Sequence, residues 1–436
     1  MSCLISKVII ISEAALTDKK IKVLTISDHP IHALSGVGTQ TRYVIEGLLE
    51  SGKFSVVSLA GAIKHPDYRP QKTEEWGDDW IVYPVDGYGN HETIRSVLRT
   101  EKPDILWFMT DPRFFGWLWE IEDEIRSLVP MVYYHVWDNY PYPKFNKEFY
   151  DSNDVIATIS KLTHDIVETV APDVESHYIP HAVNGEFFKK LTLEDENLSE
   201  FTKKHGYEDK FTFFWNNRNA RRKQSGTLIW WFKEFLDEIG HDKARLIMHT
   251  DPFDVHGQNL NMIIEELGMT DGQVLISNGK APPEILNLMY NSADCTVNIS
   301  DAEGFGLATL ESLATGTPII VTMTGGLQEQ VTDGEQWFGF GLEPVSKVVI
   351  GSQEVPYIYE DRISKEDFIE ACKNIYNMSK EDREALGEKG IEHINKNYNF
   401  KNFQNQWVDL LQSVHEKYGS WETRKNYTKW HVMEVK

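Results

Sequence analysis

The feature that most constrains this chain is a regular exchange between short β-branched runs and segments with helical spacing of apolar residues. Strand-like runs fall at 21–27, 54–59, 80–83, 105–108, 131–134, 155–159 and 177–179. Helical segments lie between them at 39–50, 91–101, 114–128 and 160–170. Such alternation predicts a parallel α/β sheet covered by helices on both faces. The pattern stops near 185–208, where a polar, acidic stretch reads as a linker. It then restarts, with strands at 211–215, 244–248, 274–277, 295–299 and 318–321 and helices at 223–238, 259–267, 283–290 and 307–314. Three more helical stretches, near 365–378, 380–396 and 401–417, close the chain. The expected organisation is two α/β halves, residues 1–185 and 207–400, with a C-terminal return over 401–436. Sheets of this kind bind ligands at the carboxyl ends of their strands.

Composition narrows the partners. The 436 residues carry 44 Lys and Arg against 67 Asp and Glu, a formal charge of −23. That balance argues against a phosphate-tracking nucleic-acid surface. Cys3, Cys295 and Cys372 match neither a disulfide framework nor a zinc site, so a reducing, cytoplasmic setting is expected. The apolar stretch Val8–Ile11 is shorter than a signal-peptide core, and no run approaches the ~18–20 residues of a membrane span. Aromatic segments at 114–119 and 228–232 are expected to pack in the core, because their helices lack the basic polar face of a membrane-surface helix. The basic, aromatic tail 421–430 leaves peripheral membrane contact open but unindicated.

The strongest chemical signal is Glu303-Gly-Phe-Gly-Leu-Ala-Thr-Leu-Glu311, placed between a strand and a helix. Gly304 and Gly306 permit a sharp turn and close approach of a ligand. The amides of Phe305, Gly306 and Leu307 then begin a helix, where an anion is favoured. Glu303 and Glu311 flank that position. Carboxylates are poor phosphate ligands but good acceptors for sugar hydroxyls. The combination points to a molecule with hydroxylated rings on both sides of a phosphate group, as in a nucleotide-sugar.

This block, continued through Ser312-Leu-Ala-Thr-Gly-Thr-Pro-Ile-Ile320 and Thr324-Gly-Gly-Leu-Gln-Glu-Gln-Val331, resembles the retaining glycosyltransferases of family 4. Ile179-Pro-His-Ala-Val-Asn184 is a second match, with Ala182 and Asn184 departing mildly from the family's usual Pro-x-Gly-Val-Asp. The resemblance implies the GT-B fold, two Rossmann-like domains facing each other across a cleft: an acceptor domain and a nucleotide-sugar donor domain. It implies that Glu303 holds donor-sugar hydroxyls and Glu311 the ribose.

Three further constellations fit that expectation. Asn217-Arg-Asn-Ala-Arg-Arg-Lys-Gln224 follows the first strand of the second half, and cations there can neutralise a departing diphosphate. Arg218 and Lys223 match the family's pair; Arg221 and Arg222 are additional. Gly36 and Gly38 lie where the family has a glycine-rich loop near the donor phosphates. In Tyr134-His-Val-Trp-Asp-Asn-Tyr-Pro141, His135 is the candidate near the reaction centre, and Trp137, Asp138 and Tyr140 are candidates for acceptor contact.

The expected activity is retaining transfer of a sugar from a nucleoside-diphosphate sugar to a glycan or lipid-linked glycan. No covalent nucleophile stands out, and the resemblance implies attack on the face the diphosphate leaves. No cofactor or metal is expected; Asp251-Pro-Phe-Asp254 reads as a loop cap. Replacing Glu303 or Lys223 by Ala is expected to abolish transfer with little loss of folding. The alternatives are a nucleotide-sugar isomerase, an inactive nucleotide-sugar binding protein and, within transferases, an enzyme acting on a DNA base. Base contacts are expected from backbone near 278–281. Residues 336–357 depart from the family and read as an inserted hairpin or loop of unassigned role.

Overall fold

The computed structural model describes residues 19–428 except 34, 193 and 208. Val8–Ile11 and the end of the basic tail lie outside the described residues. The first half builds an eight-stranded sheet from β1 (Ile21–Asp28), β2 (Phe54–Gly61), β3 (Gln71–Lys72), β4 (Trp80–Pro84), β5 (Ile105–Thr110), β6 (Met131–His135), β7 (Val155–Thr158) and β8 (Glu175–Tyr178), in the order β3-β4-β2-β1-β5-β6-β7-β8. All neighbours pair in parallel except β3 with β4. The second half builds a six-stranded parallel sheet, β11-β10-β9-β12-β13-β14, from β9 (Phe211–Asn216), β10 (Ala244–His249), β11 (Val274–Ser277), β12 (Cys295–Asn298), β13 (Ile319–Thr322) and β14 (Gly339–Leu342). The continuous apolar character of β5, β6, β7, β12 and β13 follows from burial of both sheet faces.

One apolar cluster runs through both halves. It joins Ile159 and Ile179 of the first to Phe305, Leu310 and Leu327 of the second. The chain then returns. Helix Phe400–Tyr418 lies on helix Gly36–Glu50, close enough that a Cβ on Gly47 would sit 2.8 Å from Gln404. Trp407 packs edge-on to Trp107 and Tyr134. The described part of the tail also folds onto the first half, where Arg424 pairs with buried Asp154 at 2.8 Å and Trp421 donates to the Pro103 carbonyl.

Three local differences from the sequence pattern have physical causes. The segment read as one helix at 114–128 is three short turns, Pro112–Phe115, Gly116–Trp119 and Glu122–Arg126. They wrap Phe115 and Trp119 around Phe108 and Tyr133, a packing one straight helix would not allow. The helix read from 223 starts at Ser225, because Gln224 takes a left-handed conformation (φ 55°) after the turn Arg221–Lys223. The departure near 336–357 contains β14 and one arm of an antiparallel hairpin, β15 (Ser346–Ile350) with β16 (Ile358–Arg362). Among the described residues, no helix is long and apolar enough to cross a membrane.

Candidate functional site

The loop between β12 and helix Leu307–Ala314 is shaped by its glycines. Gly306 has φ 93° and caps the helix, and a side chain there would strike Leu327 at 2.5 Å. Below it, a Cβ on Gly325 would lie 1.7 Å from the Glu303 carbonyl oxygen, so only glycine lets the 324–326 turn close under this loop. Gly326 donates its amide to that carbonyl at 3.1 Å.

Glu303 is buried and accepts a hydrogen bond from the Lys223 ammonium. Asn298 donates to the same carboxylate at 3.4 Å, and the Arg222 guanidinium lies 3.9 Å away. Burial alone would raise the Glu303 pKa, but Lys223 and Arg222 outweigh it and hold the carboxyl below its usual range. Lys223 moves the other way. Burial and the adjacent Arg222 push it down to about 8, against the pull of Glu303. Two cations thus gather at the buried Glu303 carboxylate, and Asp138 stands beside the partly exposed Arg222.

Arg222, not Arg218, completes this group. Arg222 donates to the Ala302 carbonyl and approaches Asp138 at 3.5 Å. Arg218 lies outside it: its guanidinium is held by Asp254 at 2.6 Å and contacts His256, with the side chain 61% exposed. The structure therefore does not bring the expected Arg218–Lys223 pair together; it places Arg222 with Lys223 beside Glu303. The turn Arg221–Lys223 swings these side chains inward, whereas Arg218 precedes it and faces the 251–256 loop.

His135 is not brought into this group either. It has no solvent exposure, its Nε2 lies 2.9 Å from the Tyr150 hydroxyl, and its Nδ1 faces Tyr133. Burial pushes it down to about 3, so it stays neutral. Alternation along β6 sets this direction: Met131 and Tyr133 serve one core cluster, Val132 and Tyr134 the other, and His135 follows Tyr133. Trp137 is likewise mostly enclosed, packing on Phe145 and donating to the Asn139 carbonyl. Asp138 does reach the site. Burial raises its pKa, opposed by Arg222 and reinforced by Glu303.

The halves meet tightly here. A Cβ on Gly304 would lie 3.3 Å from the Trp137 carbonyl oxygen, and one on Gly36 would lie 2.9 Å from Leu307. Gly38 sits in the first turn of its helix, donating to the Ser35 cap at 3.0 Å. Phe305 is buried against His181 and Tyr398. Glu311 accepts from the Tyr290 hydroxyl at 2.7 Å, and burial pushes it up to about 7. Tyr43 of the first half is near enough to feel the Glu311 charge. Tyr43 also lines a cavity of about 1090 Å³ between the halves, with Trp76, Val183, Pro282 and Glu284. Tyr140 stacks between Tyr142 and Tyr359 of β16.

The sequence reading missed Asn298, Tyr290 and Glu360. Glu360 and Arg362 had no motif to announce them. Asp301 and Asn298 border the glycine block, and their positions at a strand end were a usable signal. Among the described residues, no group of three or more His, Cys, Asp or Glu could hold a metal ion.

Residues 255–393 match the family model described as glycosyl transferases group 1. That match lies within the second half of the chain. The chain is 29% identical over 182 residues to the alpha-monoglucosyldiacylglycerol synthase of Streptococcus pneumoniae, covering 41% of this chain and 40% of the relative. It is 30% identical over 156 residues to a D-inositol 3-phosphate glycosyltransferase of Corynebacterium urealyticum, covering 36% of this chain and 31% of the relative. The matches thus span less than half of either relative. The fold is GT-B, shared across both halves with solved glycosyltransferases. Sucrose-phosphate synthase from Thermosynechococcus elongatus superposes with a TM-score of 0.71 at 16% identity, over 91% of this chain and all of that one. Anabaena HepE, solved in complex with UDP and glucose, gives 0.65 at 12% identity, over 90% of this chain and all of that one.

Proposed function

We propose that this protein transfers a sugar, with retention of configuration, from a nucleoside-diphosphate sugar to a hydroxyl acceptor. The observation that carries the reading is the desolvated Lys223–Arg222–Glu303 group beside the helix start at Leu307. It offers cations where a diphosphate leaves and a carboxylate where sugar hydroxyls dock. In this reading the diphosphate lies among Lys223, Arg222, Gly36, Gly38 and the amides of Phe305–Leu307. The ribose hydroxyls donate to Glu311, and the base extends toward the cavity bordered by Pro282. That one relative is named a D-inositol 3-phosphate glycosyltransferase and another an alpha-monoglucosyldiacylglycerol synthase, and that a structural neighbour was solved with UDP and glucose, supports this choice.

The chemistry follows from charge. Bond breaking at the anomeric carbon moves negative charge onto the leaving phosphate. Lys223 and Arg222 are fixed beforehand by Glu303 and by the Ala302 carbonyl, so little reorganisation is needed. The acceptor hydroxyl approaches from the first half near Asp138 and passes its proton to the leaving phosphate. The two cations take the charge-stabilising role, and no metal is invoked.

The test is incubation with UDP-, GDP- and ADP-sugars, with and without a panel of glycan and lipid-glycan acceptors, followed by NMR. Acceptor-dependent nucleotide release with an α-linked product from an α-donor supports the reading. Donor conversion without acceptor would instead mark an isomerase, and binding without either would mark a binding protein.

A further inference from the structure

The hairpin β15–β16 has no role in the reading above, yet one of its strands touches three loops of the site. Tyr359 donates its amide to the Tyr140 carbonyl at 2.7 Å and accepts from Asn139 at 3.3 Å. Glu360 receives both terminal nitrogens of Arg221, at 2.8 and 2.7 Å, and its side chain is 3% exposed. Asp361 donates its amide to the Asp301 carbonyl at 2.9 Å, and Arg362 pairs with the Asp301 carboxylate at 2.8 Å. Asp301 in turn donates its amide to the Arg222 carbonyl at 2.8 Å and accepts from Gln224 at 2.5 Å. Consecutive residues of β16 therefore tie down the 139–140 loop, the 221–224 turn and the start of the 301–306 loop.

We propose that Glu360 and Arg362 are positioning residues for the diphosphate site. The turn Arg221–Lys223 is only three residues long and ends in the left-handed Gln224, so its own helical bonds cannot fix the direction of its side chains. The bidentate Arg221–Glu360 pair and the Asp301–Arg362 pair clamp it from outside. Arg221 is thereby directed away from the recess, and Arg222 and Lys223 into it. A buried carboxylate holds an arginine in one bidentate geometry, because leaving the Glu360 charge unpaired is costly. Tyr359 of the same strand bonds to and stacks on Tyr140, so a shift of the hairpin would displace the acceptor side and the cation turn together.

This inference rests on the donor-site reading for its binding arm only. Full-length Glu360→Ala, Glu360→Gln, Arg221→Ala and the double variant Arg221→Ala/Glu360→Ala are compared by UDP titration and by amide hydrogen exchange. Glu360→Ala is expected to weaken UDP about tenfold, and the double variant no further than the weaker single, since coupled residues lose one shared interaction. Glu360→Gln, which keeps the shape, should lose less. Amide exchange at 221–224 is expected to accelerate at least about tenfold in Glu360→Ala, with protection retained in the sheets. Unchanged exchange at 221–224 would overturn the proposal, as would additive losses in the double variant. If wild type binds no UDP, GDP or ADP, the donor-site reading fails, and the exchange arm alone decides the role of Glu360. If Glu360→Ala does not fold, Glu360→Gln carries both arms.

Discussion

The carboxyl edges of the two sheets treat charge in opposite ways. At the second sheet, Lys223, Arg222, Glu303 and Asp301 are paired, desolvated and crowded into one recess. At the first, three histidines are buried and kept neutral. His135 and His181 are each pushed down to about 3, and His29 to about 4, with burial the largest cause in each. One edge holds ionised groups in mutual pairs. The other offers hydroxyl, amide and carboxylate groups around Asp138 and Tyr140. The difference teaches that the second half concentrates paired charge at its strand ends, whereas the first half places Asp138 against that group.

The sharpest way to break that contrast is to remove the paired charges. Glu303→Ala and Lys223→Ala should each lower transfer by at least about 10³-fold, measured as acceptor-dependent nucleotide release. The structure changes the expected cost to folding. Glu303 and Lys223 are mutually buried, so breaking the pair costs about 3–5 kcal/mol when nothing replaces the lost partner. Lys223→Ala leaves Arg222 near Glu303, while Glu303→Ala leaves two cations facing each other. Glu303→Ala should therefore lower the thermal midpoint more than Lys223→Ala does. Equal midpoints would show that Arg222 does not compensate.

A second comparison sits within the basic loop. Arg222→Ala should lower turnover about 10²-fold, whereas Arg218→Ala, which breaks an exposed pair with Asp254, should stay within about threefold. The reverse order would restore Arg218 as the phosphate ligand.

The third concerns protonation. Glu311 titrates near 7, so its ionised, hydroxyl-accepting form grows as pH rises through neutrality. UDP affinity should increase by several-fold between about pH 6 and 8, on the scale of one titrating contact. Glu311→Gln should remove that part of the slope, leaving only the nucleotide's own ionisation. A variant with the wild-type slope would exclude Glu311 as the ribose acceptor.

The smallest expected effect is at His135. Its folded pKa is depressed from 6.5 to about 3, so the unfolded chain binds the proton more readily between those values. The stability it supports is present above pH 6.5 and is lost as pH falls toward 3. His135→Gln should flatten the acid limb of a denaturation profile while leaving turnover within about twofold. A large loss of turnover at neutral pH, with folding intact, would return His135 to the reaction centre.

These outcomes bear on what a sequence can reveal. Glu303, Gly306 and Lys223 were legible because their chemistry lies in short contiguous segments at strand ends. The backbone need only turn once to bring them together. The alternation of strands and helices likewise disclosed both sheets. His135 misled because it ends a strand, where period-two alternation decides the side-chain direction and both faces are covered. Arg222 displaced Arg218 because a three-residue turn, set by Gln224 and clamped by Glu360, rotates the basic run. Glu360 lies 139 residues from the arginine it holds, and no local spacing records such a contact.

The central claim is that the Lys223–Arg222–Glu303 recess binds the diphosphate of a nucleotide-sugar. The direct measurement is calorimetric titration of UDP, GDP and ADP into wild type, Lys223→Met and Arg218→Ala. Met keeps the volume of the lysine stem and removes only its charge. Binding of at least one nucleotide to wild type, about 10²-fold weaker in Lys223→Met and nearly unchanged in Arg218→Ala, is the predicted result. Equal affinity in wild type and Lys223→Met, or no binding of any nucleotide to folded wild type, would contradict it.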